Sequence, residues 1–146
     1  SLAPGFIFTT SLSPVICAGA LTSIRYVIEH NDLRNQLKER SKKTKYELAK
    51  AGINVLENNS HIVPVIIGDA IKCKQISDDL LYKEGIYVQP INYPTVRIGT
   101  ERLRFTPGPF HSDHMIFDMV LKLKEVMVKN EALKQNNVIH FYKRVS

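Results

Sequence analysis

Gly85-Ile86-Tyr87-Val88-Gln89-Pro90-Ile91-Asn92-Tyr93-Pro94-Thr95-Val96, then Glu101-Arg102-Leu103-Arg104-Phe105-Thr106-Pro107-Gly108-Pro109, carry the architecture of this chain. The stretch reads as strand, proline-rich loop, strand. Leu103 and Phe105 alternate with Arg102, Arg104 and Thr106, and side chains on a strand point to opposite faces at period two. With Leu103 and Phe105 toward a core, Arg102 and Arg104 face outward together. An arginine fixed on a strand beside a stiff loop suits recognition of a carboxylate or phosphate. The plain alternative is a half-exposed strand with two solvated arginines.

Around that stretch, 146 residues make one domain or a piece of a larger protein. Hydrophobic residues are 44% of the chain, enough for a core. No apolar run approaches the roughly 20 residues that a membrane span needs, so no membrane partner is expected. Cys17 and Cys73 lie far apart. They form no metal-binding or redox motif, and no metal is expected. Both sit in apolar-leaning helical segments, which predicts buried, inert thiols. The net charge of +6 permits an anionic partner. Much of it lies in one stretch holding Arg34, Lys38, Arg40, Lys42, Lys43, Lys45 and Lys50. Glu39 and Glu47 interrupt it and aromatics are scarce, so it reads as a solvated helix face rather than a nucleic-acid surface. The chain opens on Ser1-Leu2-Ala3-Pro4-Gly5 without an initiator methionine or signal peptide, and is expected to start inside a larger protein.

Along the chain, Phe6 to Ser11 has strand composition. Ser11 or Ser13 can cap a helix with Pro14 in its first turn and Ile16, Ala20, Ile24 and Val27 or Ile28 at helical spacing. Asp32 can cap a second helix ending near Ala51, with Gly52 as its stop and Leu33, Leu37 and Leu48 as a sparse apolar stripe. A short strand at Ile53 to Leu56 is possible. Ser60 to Gly68 is a β-branched run in which Pro64 calls for an edge position or bulge. Asp69 caps a third helix with Cys73, Ile76, Leu80 and Leu81 on its apolar side. Gly85 ends it, and Ile86, Tyr87 and Val88 resume a strand. Ser112 or Asp113 starts the clearest amphipathic helix, with Met115, Ile116, Met119, Val120, Leu123 and Val126 or Met127 on one face. From Lys129 the chain turns polar. The whole describes an α+β unit: a small sheet covered on one face by helices.

Gly5-Phe6-Ile7-Phe8-Thr9-Thr10-Ser11-Leu12, Ser60-His61-Ile62-Val63-Pro64-Val65 and the opening stretch take the reading further. Together they resemble the α-oxoamine synthase family of pyridoxal-phosphate enzymes, and within it the 5-aminolevulinate synthases, from about Pro4 to His111. The segment from Tyr87 to Val96 favours that branch over its sisters, such as glycine C-acetyltransferase, 8-amino-7-oxononanoate synthase and serine palmitoyltransferase. The resemblance implies the small C-terminal domain of a fold type I pyridoxal-phosphate transferase over residues 30–146. Residues 1–29 would then be the end of the large cofactor-binding domain and an inter-domain helix. It implies condensation of glycine with succinyl-CoA to 5-aminolevulinate, carbon dioxide and CoA, toward haem. It further implies a homodimer sharing its sites between subunits, in the cytoplasm, or alternatively in the mitochondrial matrix. Thr9 and Thr10 match a hydroxyl pair contacting the cofactor phosphate, and Thr95 matches a position in the acyl-CoA site. Arg104 matches the arginine that binds the amino-acid carboxylate.

Some family features are missing. The Schiff-base lysine, the aspartate paired with the pyridine nitrogen and the ring-stacking histidine belong to motifs upstream of the Gly-Phe-Ile-Phe-Thr-Thr segment. No catalytic residue is therefore expected in this chain, which should be inactive alone. Ser13 stands where the family often has proline, and Arg97-Ile98 replaces its usual Pro-Arg. His61 and His111 match no family acid or base and read as structural. The reading from a different class is a free-standing α+β binding module with the basic helix as its contact surface.

Overall fold

The computed structural model describes residues 12–133. The element order is α1 (Pro14–Glu29), α2 (Asn31–Lys50), β1 (Val63–Ile66), α3 (Ala70–Glu84), β2 (Gln89–Ile91), β3 (Arg102–Phe105) and α4 (Asp113–Lys129). The chain divides into two compact units between Asn35 and Gln36. In the first, α1 carries proline in its opening turn, where the missing N–H costs nothing. No residue of α1 is buried in this structure, Cys17 included, which corrects the expectation of a buried thiol there. Its apolar positions have the right spacing, but periodicity identifies a face without supplying its partner.

The second unit is built on an antiparallel sheet of order β1-β3-β2. β1 is an edge strand, as Pro64 demands, because proline cannot donate to a ladder on both sides. The register sets Val63 against Phe105 and Val65 against Leu103. These four residues are buried on one face with Cys73, Ile76 and Leu80 of α3, Val120, Leu123 and Met127 of α4, and Leu48 of α2. The expected α+β architecture, a small sheet covered by helices on one face, is the one observed.

Local chemistry fixes the helix ends. Asp69 accepts the Lys72 N–H at 2.8 Å and Ser112 accepts that of Met115 at 3.2 Å, each satisfying an orphan donor of a first turn. Gly85 closes α3 in the left-handed region at φ 69°, which costs other residues roughly 1–2 kcal/mol.

Four expectations are corrected. Ile86, Tyr87 and Val88 are not a strand; β2 begins at Gln89. The backbone groups before it are taken by α3: the Ile86 N–H donates to the Leu80 carbonyl at 2.8 Å, and the Val88 carbonyl accepts the Ser77 hydroxyl at 2.8 Å. Ile53–Leu56 contributes only an isolated bridge, Val55 to Val65. Leu81 and Met115 are exposed, at the margins of their helices' apolar faces. The polar Ser41 and Thr44 of α2 are buried instead, their hydroxyls donating to the His61 and Arg40 carbonyls at 3.1 and 2.8 Å. The Phe6–Ser11 strand lies outside the described residues.

Candidate substrate-binding site on the open sheet face

Alternation along β3 puts Glu101, Leu103 and Phe105 inward and Arg102 and Arg104 on the opposite face, turned away from the core that α3 and α4 cover. β3 is the central strand, so a side chain on this face has a neighbour on each side. Arg104 lies between Pro64 and Gln89, and Arg102 lies between Ile66 and Ile91.

The two arginines differ in what holds them. Arg102 donates through Nε to the Thr100 carbonyl at 2.9 Å and through a terminal nitrogen to the Thr100 hydroxyl at 3.2 Å. Its guanidinium is engaged with its own loop. Arg104 is exposed, and among the described residues its guanidinium makes no hydrogen bond and no ion pair. Its planar fork of donors is available for a carboxylate or phosphate. The backbone beneath it is held by ladders on both sides, so the cation's origin is fixed.

Thr95 sits in the connection between β2 and β3 and is exposed. Its N–H donates to the Asn92 carbonyl at 3.0 Å, closing a turn with a cis Tyr93–Pro94 bond. The loop leaves the sheet at the Ile91–Arg102 end of the strand pair, whereas Arg104 is two residues further along. Thr95 and Arg104 thus share one hairpin connection, and no hydrogen bond joins them. The base of the loop is pinned by Glu101. This buried carboxylate accepts the Gly99 N–H at 2.9 Å, and its backbone carbonyl accepts from Ile67 and Gly68 at 2.9 and 3.0 Å. Glu101 was not singled out from sequence, although the alternation that turned Leu103 and Phe105 inward turns it inward as well. Gln89 and Tyr87 were missed too; the Tyr87 hydroxyl donates to Gln89 Oε1 at 2.7 Å. Thr9 and Thr10 lie outside the described residues.

Neither histidine expected to be structural joins this face. His111 Nδ1 accepts the Gly108 N–H at 2.8 Å and closes the turn before α4. The His61 carbonyl accepts the Ser41 hydroxyl. A cavity of about 440 Å³ opens on the helix side, among Phe105, His111, His114, Met115 and Met119; neither Arg104 nor Thr95 lines it. Cys73, the buried thiol of α3, is pushed up to about 11, chiefly by burial. Among the described residues no cluster of histidine, cysteine and carboxylates could hold a metal ion. No helix there is long and apolar enough to cross a membrane.

Comparisons with known proteins agree with this architecture. The family model for aminotransferase class I and II matches residues 1–121. The chain is 48% identical over 139 residues to 5-aminolevulinate synthase 1 of Cereibacter sphaeroides, covering 95% of this chain and 34% of that protein. It is 56% identical over 123 residues to 5-aminolevulinate synthase of Rhizobium meliloti, covering 84% of this chain and 30% of that one. A solved structure of Sphingomonas wittichii serine palmitoyltransferase superposes with a TM-score of 0.77 at 27% identity, over 86% of this chain and 32% of that chain. The chain therefore spans about a third of the length of the relatives it matches. With a sheet, helices and sequence that all match, this chain belongs to the aminotransferase class I and II family.

Proposed function

We propose that the chain is the C-terminal part of a 5-aminolevulinate synthase. The whole enzyme would condense glycine with succinyl-CoA to give 5-aminolevulinate, carbon dioxide and CoA, on the route to haem. The observation that carries the reading is Arg104: a guanidinium on the central strand, on the face turned away from the core, with no partner among the described residues. In this reading it binds the glycine carboxylate and, by holding it on a rigid strand, sets the orientation of the Cα bonds. Orientation of this kind converts binding into rate. Thr95, exposed on the loop that Glu101 pins, contributes to the wall of the acyl-CoA site.

The cofactor of the family is pyridoxal phosphate, and when bound it supplies the electron sink for the carbanion formed at glycine. The open face suits an anionic substrate placed beside such a group, because Arg104 and the Gln89 amide offer donors and no carboxylate lies on those strands' outer positions. Thr9 and Thr10, proposed to hold the cofactor phosphate, are outside the described residues, and no geometry is assigned to them. The lysine that would bind the cofactor belongs to the remaining two-thirds of such an enzyme. Residues 1–29 would be the end of the large domain with the inter-domain helix, and 30–146 the small domain. The whole would be a homodimer with sites shared between subunits, cytoplasmic or in the mitochondrial matrix, with no nucleic-acid partner.

The test is substrate choice. The full-length protein, loaded with pyridoxal phosphate, is assayed with glycine and succinyl-, acetyl- or palmitoyl-CoA. Preference for succinyl-CoA supports the reading. Preference for another acyl-CoA moves the chain to a sister enzyme of the family, and no turnover with any of them overturns the 5-aminolevulinate synthase reading.

A further inference from the structure

Gln89 stands directly across the ladder from Arg104, on the same face of the sheet. Opposed residues on antiparallel strands have Cα atoms about 4.5–5.5 Å apart, close enough for their side chains to meet one ligand. The Gln89 amide is held on two sides. Its Oε1 accepts the Tyr87 hydroxyl at 2.7 Å, and its Nε2 donates to the Pro90 carbonyl at 3.3 Å. A glutamine amide has two N–H donors, so among the described residues one remains unspent. With the oxygen tied to Tyr87, the amide cannot turn that oxygen toward the neighbouring position, where it would repel an anion.

We infer that Gln89 is a second carboxylate-binding residue beside Arg104, and that Tyr87 is the positioning residue that holds its amide donor-first. A carboxylate offers about four acceptor positions, and a bidentate guanidinium takes two of them. The free Gln89 N–H serves a third from the side of β2. Pro64, on the other side of Arg104, carries no side-chain donor, so the recognition is one-sided and fixes how the carboxylate plane lies. A neutral amide adds this donor without a second positive charge. The inference rests on the reading of Arg104 as the glycine-carboxylate site and adds to it the residues that orient the ligand.

The experiment uses the full-length protein with four single variants, Gln89→Leu, Gln89→Glu, Tyr87→Phe and Arg104→Ala, and the double variant Tyr87→Phe/Gln89→Leu. Steady-state constants are measured for glycine and for the acyl-CoA, and glycine Kd by titration. A hydrogen bond to a charged group is worth about 1.5–3 kcal/mol, so Gln89→Leu should raise glycine KM and Kd by roughly tenfold or more while acyl-CoA KM stays put. Gln89→Glu, which keeps the side chain's shape and sets a carboxylate against the guanidinium, should raise them further. Tyr87→Phe should raise them by a smaller factor, and should add nothing in the Gln89→Leu background, because it acts through Gln89. If Arg104→Ala weakens glycine but both Gln89 variants leave it unchanged, the inference is overturned and Arg104 keeps its role. If Arg104→Ala leaves glycine binding intact, both fall. An equal cost of Tyr87→Phe in the two backgrounds removes Tyr87 as the positioning residue.

Discussion

At the scale of single residues, Arg102 and Arg104 are the instructive pair. They share a strand and a face, and alternation alone makes them equivalent. The structure separates them because the Thr100 carbonyl and hydroxyl engage one guanidinium and leave the other unpaired among the described residues. Arg102→Ala should therefore loosen the loop that carries Thr95 and raise the acyl-CoA KM more than the glycine KM; the ratio of the two constants checks this. Cys73 gives a second prediction. Burial raises its thiol to about 11, so almost no thiolate exists at pH 8. Iodoacetamide applied to the native protein at pH 8 should leave Cys73 unmodified and label it only after denaturation, as read by peptide mass analysis. The outward placement of Arg104 was legible from period-two alternation, and the inward placement of Glu101 was available in the same pattern. That Arg102 is tied and Arg104 is not depends on where the loop folds back, which no spacing encodes.

At the scale of elements, the end signals were local and therefore readable. Asp69, Gly85 and Ser112 act within one helical turn of their own positions, and each stands where it was expected. Asp69→Ala leaves the Lys72 N–H without its cap and should cost about 1 kcal/mol of stability, measured by urea unfolding. The start of β2 was not readable. Ile86 to Val88 has strand composition, but its backbone groups are consumed by Leu80 and Ser77 of α3, and only the packed structure shows that competition. Likewise Ser41 and Thr44 look like part of a solvated charged rod, yet α2 turns them inward, where backbone carbonyls accept their hydroxyl protons.

At the scale of the second unit, Asp113 links distant parts of the sequence. It opens α4 and pairs with both Arg40 and Lys43 of α2. The Lys43 hydrogen bond, with Arg40 behind it, holds its carboxyl below the ordinary value of 3.8. A carboxylate with a depressed folded-state pKa stabilises above its unfolded value, and that contribution is lost as pH falls through the folded one. Asp113→Asn should therefore lower the urea midpoint at pH 7. The gap from the parent protein should narrow below about pH 4 and in high salt, since the pair is exposed. The core that this clasp borders is more decisive. Leu80→Ala, at a position with no solvent exposure between α3 and the sheet, should cost about 2–5 kcal/mol by the same measurement.

The central claim is that Arg104 holds the amino-acid carboxylate, and the glycine KM of the full-length Arg104→Ala variant at saturating succinyl-CoA tests it most directly. Loss of a charge-assisted contact worth about 1.5–3 kcal/mol predicts a rise of roughly 10- to 150-fold. A glycine KM equal to that of the parent enzyme would contradict the account.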